Sequence, residues 1–149
     1  VRRLVNAGAK HVVVTGTYDL GKTPWATAIS QTSLLNDASS RFNEGLLVNI
    51  VDLGANVLYI DAAYYVNLYT SSPDSYSFDN ATTPVCTSVD AGNGIGIGTG
   101  QVNSALCTTA TLLPSANQNK YVFADAVYLT PSAHRQLGDD AYDRLRARW

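Results

Sequence analysis

The sequence is poor in the residues that build metal sites and nucleic-acid surfaces. Its 149 residues include two cysteines and two histidines, with no Cys-x-x-Cys pair, so a structural zinc site has almost no support. Lysine and arginine number 10 against 12 aspartates and glutamates, a formal net charge of −2. Nothing forms the basic face that binding to a phosphate backbone requires. We therefore expect no metal, no cofactor and no nucleic-acid partner.

Long apolar runs are also missing. No stretch reaches the ~18–20 residues of a membrane span, so we expect no transmembrane segment. The opening residues, Val1–Gly8, have neither the continuous apolar stretch nor the cleavage site of a signal peptide. They are typical of a helix entered halfway, and we expect further chain upstream. The length fits one domain, and a composition of 46% hydrophobic and 15% charged residues is that of a globular protein.

Strand-like and helix-like segments alternate along the chain. Apolar, β-branched runs predict three strands, at residues 11–15, 56–61 and 121–124. Helical spacing of apolar residues predicts helices over about 31–53, after residue 61, and from Thr130-Pro131 to the end, with threonine as N-cap and proline first in the helix. This order predicts an α/β fold with a parallel sheet. Three strands make half of such a sheet.

Residues 71–119 are rich in Ser, Thr, Asn and Gly and predict a long loop, of the kind that is either functional or mobile. Cys86 and Cys107 lie within this loop. A disulfide between them would pin the loop, adding about 3 kcal/mol in the loop-entropy model, and favours an exported protein. The alternative is two free thiols in a cytosolic protein. The glycine-rich run 92–100 follows no strand and lacks a Gly-Lys-Ser/Thr ending, which favours a surface loop over a phosphate site.

The junction between the third predicted strand and the last helix carries the candidate chemistry. Asp125 stands at the end of the strand, one tight turn before the helix, and the side chain of Tyr128 can turn back towards it. A catalytic dyad needs this arrangement, in which an acid holds a base in one orientation. The alternative is an aspartate that caps the helix. Spacing alone leaves both interpretations open.

Several segments resemble the SGNH/GDSL hydrolases, a family of lipases, esterases and related acyltransferases. Residues 125–130 resemble the family's C-terminal signature Asp-x-x-His-x-Thr, which a second histidine usually follows. Residues 8–14 followed by 19–24 are similar to a strand of the family and the loop after it. Asp61, Pro73, Tyr76–Asn80 and Cys86 resemble the stretch where the bacterial lipase branch carries Tyr-Gly-Phe-x-Asn before a cysteine.

The resemblance implies a fold and an activity. The fold is part of a three-layer α/β/α sandwich with a parallel sheet and flavodoxin-like topology, with residues 1–149 as the C-terminal portion of a single SGNH hydrolase domain. The activity is that of a secreted or periplasmic bacterial carboxylester hydrolase, possessing a Ser-His-Asp triad and acting on an ester or lipid substrate.

The chain departs from the family in its missing serine block. No Gly-Asp-Ser-Leu block and no following oxyanion-hole Gly and Asn occur. The resemblance therefore implies that this chain supplies the acid/base half, and that an N-terminal fragment of the same enzyme, carrying the nucleophilic serine, is its partner.

The second departure is Tyr128, which stands where the family has its catalytic histidine. A phenol starts neutral and becomes negative on losing its proton, an anion that the Asp125 carboxylate disfavours. We therefore expect Tyr128 to be a poor general base and the chain alone to be inactive. His134 is expected to be hydrogen-bonded near the start of the last helix, and His11 to be a packing or turn residue. The alternative function is an inactive SGNH scaffold with a binding or assembly role.

Overall fold

The computed structural model describes residues 1–149. It contains five α-helices and four β-strands, joined by short 3-10 turns. The helices are α1 (Arg2–Asn6), α2 (Pro24–Ala28), α3 (Thr32–Ile50), α4 (Ala62–Ser71) and α5 (Pro131–Arg148). The strands are β1 (Val12–Thr15), β2 (Val57–Ile60), β3 (Val89–Asp90) and β4 (Gln101–Val102). No helix combines the length and the apolar character that crossing a bilayer requires.

The main sheet is formed by β1 and β2, which pair in parallel from Val12 opposite Val57 to Thr15 opposite Ile60. Side chains of a strand alternate between the two faces of a sheet. On one face, Val57 packs with the end of α3. The next residue, Leu58, lines a surface cavity together with Ala147 of α5. Helices thus lie on both faces of a parallel sheet, and the predicted α/β fold is confirmed.

The third predicted strand is wrong. Residues 121–124 join no strand ladder, because their backbone groups bond to two neighbouring loop segments. Val122 donates its N–H to the Asn80 carbonyl at 2.9 Å and accepts the N–H of Thr130 at 2.9 Å. Phe123 accepts the N–H of Val85 at 3.1 Å. Val122, Phe123 and Ala124 are buried and Tyr121 is partly buried, and a short apolar run indicates burial as much as it indicates a strand.

The long helices follow their local signals. The segment predicted as helical over 31–53 forms α3 and then a 3-10 turn, Val51–Leu53. In α5 the Thr130 hydroxyl accepts the N–H of Ala133 at 3.2 Å, and Pro131 is the first helical residue. The segment between β1 and α3 contains the short helix α2, which the Thr23 hydroxyl caps in the same way. Capping residues thus mark the start of two helices.

The segment between α4 and α5 is largely irregular, with the two-residue strands β3 and β4 and a series of 3-10 turns. Cys86 and Cys107 form a disulfide across it, with Cα atoms 5.9 Å apart. The glycine-rich run 92–100 is an exposed loop in which Gly96, Gly98 and Gly100 have positive φ angles. The segment covers the larger hydrophobic core, whose bulkiest buried members are Tyr69, Phe78 and Phe123.

Candidate active site

Asp125 is a carboxylate with no exposed surface, held entirely by backbone N–H groups. Its Oδ1 accepts the N–H of Val127 at 2.8 Å and that of Tyr128 at 2.6 Å. Its Oδ2 accepts the N–H of Ser104 at 2.9 Å. Burying a carboxylate is costly unless hydrogen bonds compensate for the lost water, and these three donors supply that compensation. The carboxylate is therefore held at both of its oxygens.

The local sequence explains two of these bonds. An aspartate readily accepts backbone N–H groups two and three residues ahead, which closes a tight turn. The Ala124 N–H donates to the Tyr128 carbonyl at 2.8 Å and closes the same turn from its backbone. Asp125 thus stabilises the turn 125–128, whereas Thr130 caps the helix α5. The structure gives the helix-capping role to Thr130.

The Tyr128 side chain does not reach Asp125. It is 47% exposed and its hydroxyl makes no hydrogen bond, so the group that meets the carboxylate is the Tyr128 backbone N–H. From the spacing, the Tyr128 side chain was expected to turn back towards the acid. The turn explains the difference, because its closure uses the backbone of residue 128 and leaves the phenol at the surface.

A second segment holds the turn from outside. The Tyr18 hydroxyl donates to the Val127 carbonyl at 2.7 Å, and the Trp25 N–H donates to the Ala126 carbonyl at 2.9 Å. Burial, and next the negative charge of Asp125, raise the pKa of Tyr18 far above its usual value. The Tyr18 phenol therefore keeps its proton at neutral pH and remains a donor. The segment after β1 and the turn at Asp125 form one hydrogen-bonded unit.

The two histidines lie outside this unit. His134 is exposed on α5 and its ring makes no hydrogen bond, so the side-chain bond expected near the start of the helix is absent. The ring borders a cavity of about 470 Å³ between the disulfide and the start of α5, which Ser104 and Leu129 also line. His11 stacks on Trp149 with ring centroids 4.3 Å apart, and its expected packing role is confirmed.

Sequence reasoning did not identify Tyr18 or Ser104. Their contacts with the turn join residues 109 and 21 positions apart in the chain. No local pattern marks either residue, because one contributes a hydroxyl to a distant carbonyl and the other contributes a backbone N–H, which every residue but proline possesses. Only a signal that relates distant positions could have found them.

Three plant proteins are similar in sequence to this chain. The chain is 30% identical over 145 residues to the GDSL esterase/lipase LTL1 of Arabidopsis thaliana, covering 91% of this chain and 37% of that protein. The chain is similar to GDSL esterase/lipases. Two further GDSL esterase/lipases of the same plant are 24% and 27% identical over 99% and 97% of this chain, and 39% and 40% of their own lengths. No family model matches the chain.

The similarity to GDSL esterase/lipases extends over nearly the whole chain, while the chain spans about two fifths of the length of these relatives. The fold agrees with it, since a parallel sheet between helices is consistent with an SGNH hydrolase-like α/β fold. The relatives are plant proteins and do not support an assignment to the bacterial branch.

Proposed function

We propose that this chain is the C-terminal portion of a carboxylester hydrolase of the SGNH/GDSL type. The observation that carries the proposal is Asp125, a buried carboxylate held at both oxygens three residues before position 128, in a chain similar to GDSL esterase/lipases. In this function Asp125 is the acid of a Ser-His-Asp triad. Position 128 is the place of the base.

The nucleophilic serine and the oxyanion hole would come from an N-terminal segment of the same enzyme. The surface of the sheet supports this part of the proposal. β1 pairs with β2 on one edge alone, and Val13, in the middle of β1, is 46% exposed. On α3, Leu34 and Phe42 are 61% and 59% exposed. Strands of parallel sheets are normally covered on both faces, so a further strand and helix would bury these side chains.

The reaction would be an acyl transfer. The serine oxygen attacks the carbonyl carbon of an ester or lipid, and the base at position 128 accepts the serine proton and passes it to the departing alcohol. Asp125 orients that base and stabilises its positive charge. Water or an alcohol then takes the acyl group. The disulfide supports a secreted or periplasmic location, because such bonds persist in oxidising compartments.

Tyr128 limits this chemistry. Losing the base of a triad lowers turnover by roughly 10⁴- to 10⁶-fold. The Tyr128 phenol, which is exposed and makes no hydrogen bond to Asp125, is a poor substitute. We therefore propose that this chain is inactive as it stands. Tyr128 also favours a second candidate function, an inactive scaffold of the same fold that has a binding or assembly role.

Intact mass tests the hydrolase proposal. The protein purified from its source is exposed briefly to a fluorophosphonate probe and measured under denaturing conditions. A tightly associated second polypeptide supports a two-part serine hydrolase, and its serine is expected to take up the probe rapidly only when Tyr128→His restores the base. A single unlabelled species of 15.9 kDa contradicts it and favours the scaffold.

Substitution at position 128 separates the two candidates. In an assembly that has not been exposed to the probe, Tyr128→His is expected to raise ester hydrolysis by at least about 100-fold, since it restores the base. Tyr128→Phe, which removes the hydroxyl and keeps the ring, is the matched control and should bring no gain. No gain from Tyr128→His would leave the scaffold as the function.

A further inference from the structure

We propose that the backbone N–H of Ser104, held in place by the Cys86–Cys107 disulfide, positions the Asp125 carboxylate. Ser104 is thus a positioning residue that acts through its main chain. The role of Asp125 as a triad acid rests on the proposed function, whereas the positioning itself does not.

The Asp125 carboxylate is fixed in its plane by bonds to both of its oxygens. The last torsion of an aspartate side chain is broad, so bonds to one oxygen alone fix its plane poorly. The two donors of the turn, Val127 and Tyr128, both reach Oδ1. Ser104 donates to the other oxygen, Oδ2, at 2.9 Å. Removing its N–H would leave Oδ2 buried without a donor and would free the carboxylate to rotate.

Ser104 is held by the turn to which it belongs. It is the first residue of the 3-10 turn Ser104–Leu106, and the side chain of Asn103 caps that turn by accepting the Ala105 N–H at 2.9 Å. Asn103 is buried and is itself held, because its Nδ2 donates to Asp90 at 2.8 Å and its N–H donates to the Ser88 carbonyl at 2.9 Å. The turn therefore has a defined position before the disulfide is considered.

The Cys86–Cys107 disulfide closes a ring of contacts around Asp125. Cys107 directly follows the turn and is bonded to Cys86. The Cys86 N–H donates at 2.9 Å to the carbonyl of Ala124, the residue before Asp125. The ring thus leads from Asp125 through Ser104, Cys107 and Cys86 back to Ala124. Reduction breaks its one covalent cross-link and is expected to loosen the Ser104 contact.

Ser104→Pro tests the positioning directly, because proline has no N–H and is well tolerated at the first position of a helical turn. The preceding residue, Asn103, has a ψ of 114°, an extended conformation that suits a residue before proline. Ser104→Ala is the matched control, since it removes the hydroxyl and keeps the N–H. Amide hydrogen exchange measured by NMR is the readout.

In Ser104→Pro, exchange at the Val127 and Tyr128 amides is expected to accelerate about tenfold, as a bond to a charged group weakens. In Ser104→Ala it should change less than about twofold. Exchange at Ala133, which donates to Thr130, should stay constant in both and serves as the internal reference. Unchanged exchange at Val127 and Tyr128 in Ser104→Pro, or an equal rise at Ala133, would overturn the proposal.

Reduction provides a second test that needs no substitution. Dithiothreitol converts the disulfide into two thiols and is itself oxidised to its cyclic disulfide. Faster exchange at Ser104, Val127 and Tyr128, with Ala133 unchanged, supports the proposal, and identical exchange before and after reduction contradicts it. Neither test measures ester hydrolysis. An exchange effect in a chain whose Tyr128→His variant shows no hydrolysis in the two-part assembly would uphold the positioning and refute the proposed function.

Discussion

The two hydrophobic clusters of the molecule differ in how well they are covered. The loop cluster, between α4, α5 and the segment that joins them, has eight buried residues, among them Tyr69, Phe78 and Phe123. The sheet cluster, between α3 and the β1–β2 sheet, has three: Ile50, Leu53 and Val57. The sheet half of the molecule, which is α3 with the β1–β2 sheet, also exposes large apolar side chains: Val13, Leu34, Phe42, Leu47 and Val48.

The loop half, which is α4, α5 and the segment that joins them, closes its core by its own contacts, whereas the sheet half does not. The loop half needs no regular strand at residues 121–124, because hydrogen bonds to two loop segments satisfy that backbone. The sheet half has the regular elements, yet a pair of parallel strands leaves an open edge. Regular secondary structure and a closed core are thus separate properties of this chain. Asp125, the candidate acid, lies in the loop half, whose core is closed.

The largest expected effect compares two phenylalanines. Phe123→Ala removes a fully buried ring from the loop cluster and should lower the free energy of unfolding by about 3–5 kcal/mol. Phe42→Ala removes an exposed ring from the sheet half and should cost less than about 1 kcal/mol. Urea unfolding of both variants checks the comparison. Equal losses would mean that the sheet half is as well packed as the loop half.

A smaller effect is expected from glycines in the sheet half. A Cβ at Gly16, after β1, would collide with the Tyr59 hydroxyl and come within 2.6 Å of Asn43 Oδ1, so Gly16→Ala should destabilise the chain by about 1–3 kcal/mol. Gly45→Ala is the control within α3, where a Cβ meets nothing within 4 Å. It should stabilise the chain by roughly 0.5–1 kcal/mol. A stabilising Gly16→Ala would show that the end of β1 is loosely packed.

Alkaline pH should affect the loop half next. Burial and the nearby Asp140 raise the pKa of Tyr69 above its ordinary value, so the folded state prefers the neutral phenol. The resulting stability is complete below about pH 10, the pKa of an unfolded tyrosine, and is lost as the pH rises above it. Tyr69→Phe should flatten that decline, and Tyr142→Phe, at an exposed tyrosine, should not. Denaturation midpoints between pH 8 and 11 test this; equal slopes in both variants would contradict it.

The smallest effect is expected at the surface of the sheet half. Arg2 and Asp52 form an ion pair at 2.7 Å in which both side chains are largely exposed. Exposed pairs contribute little and are screened by salt. Arg2→Ala should shift the denaturation midpoint slightly at low ionic strength and not at high ionic strength. A large shift that persists in salt would show that this pair holds α1 against the turn that follows α3.

The candidate site divides in the same way between what was predicted and what was not. Asp125 and Tyr128 were singled out by their spacing at the junction before α5 and by the resemblance of residues 125–130 to the Asp-x-x-His-x-Thr signature. The structure adds that Asp125 accepts the backbone N–H groups two and three residues ahead. Ser104 and Tyr18 were not singled out, because their contacts cross 21 and 109 positions. The Tyr128 side chain was expected at the acid and lies exposed at the surface.

Local pattern alone determined β1, β2 and the three long helices, because β-branched runs, helical periodicity and the Thr130-Pro131 cap act over a few residues. Tertiary structure decided the rest. The run 121–124 has the composition of a strand. Its backbone groups instead form hydrogen bonds with loop segments, most of which lie too far along the chain for a local pattern to include. The orientation of Asp125 likewise depends on the Ser104 N–H, a donor brought near by chain folding and by the disulfide. The free energy of this hydrogen bond is gained only once water has been excluded from around it.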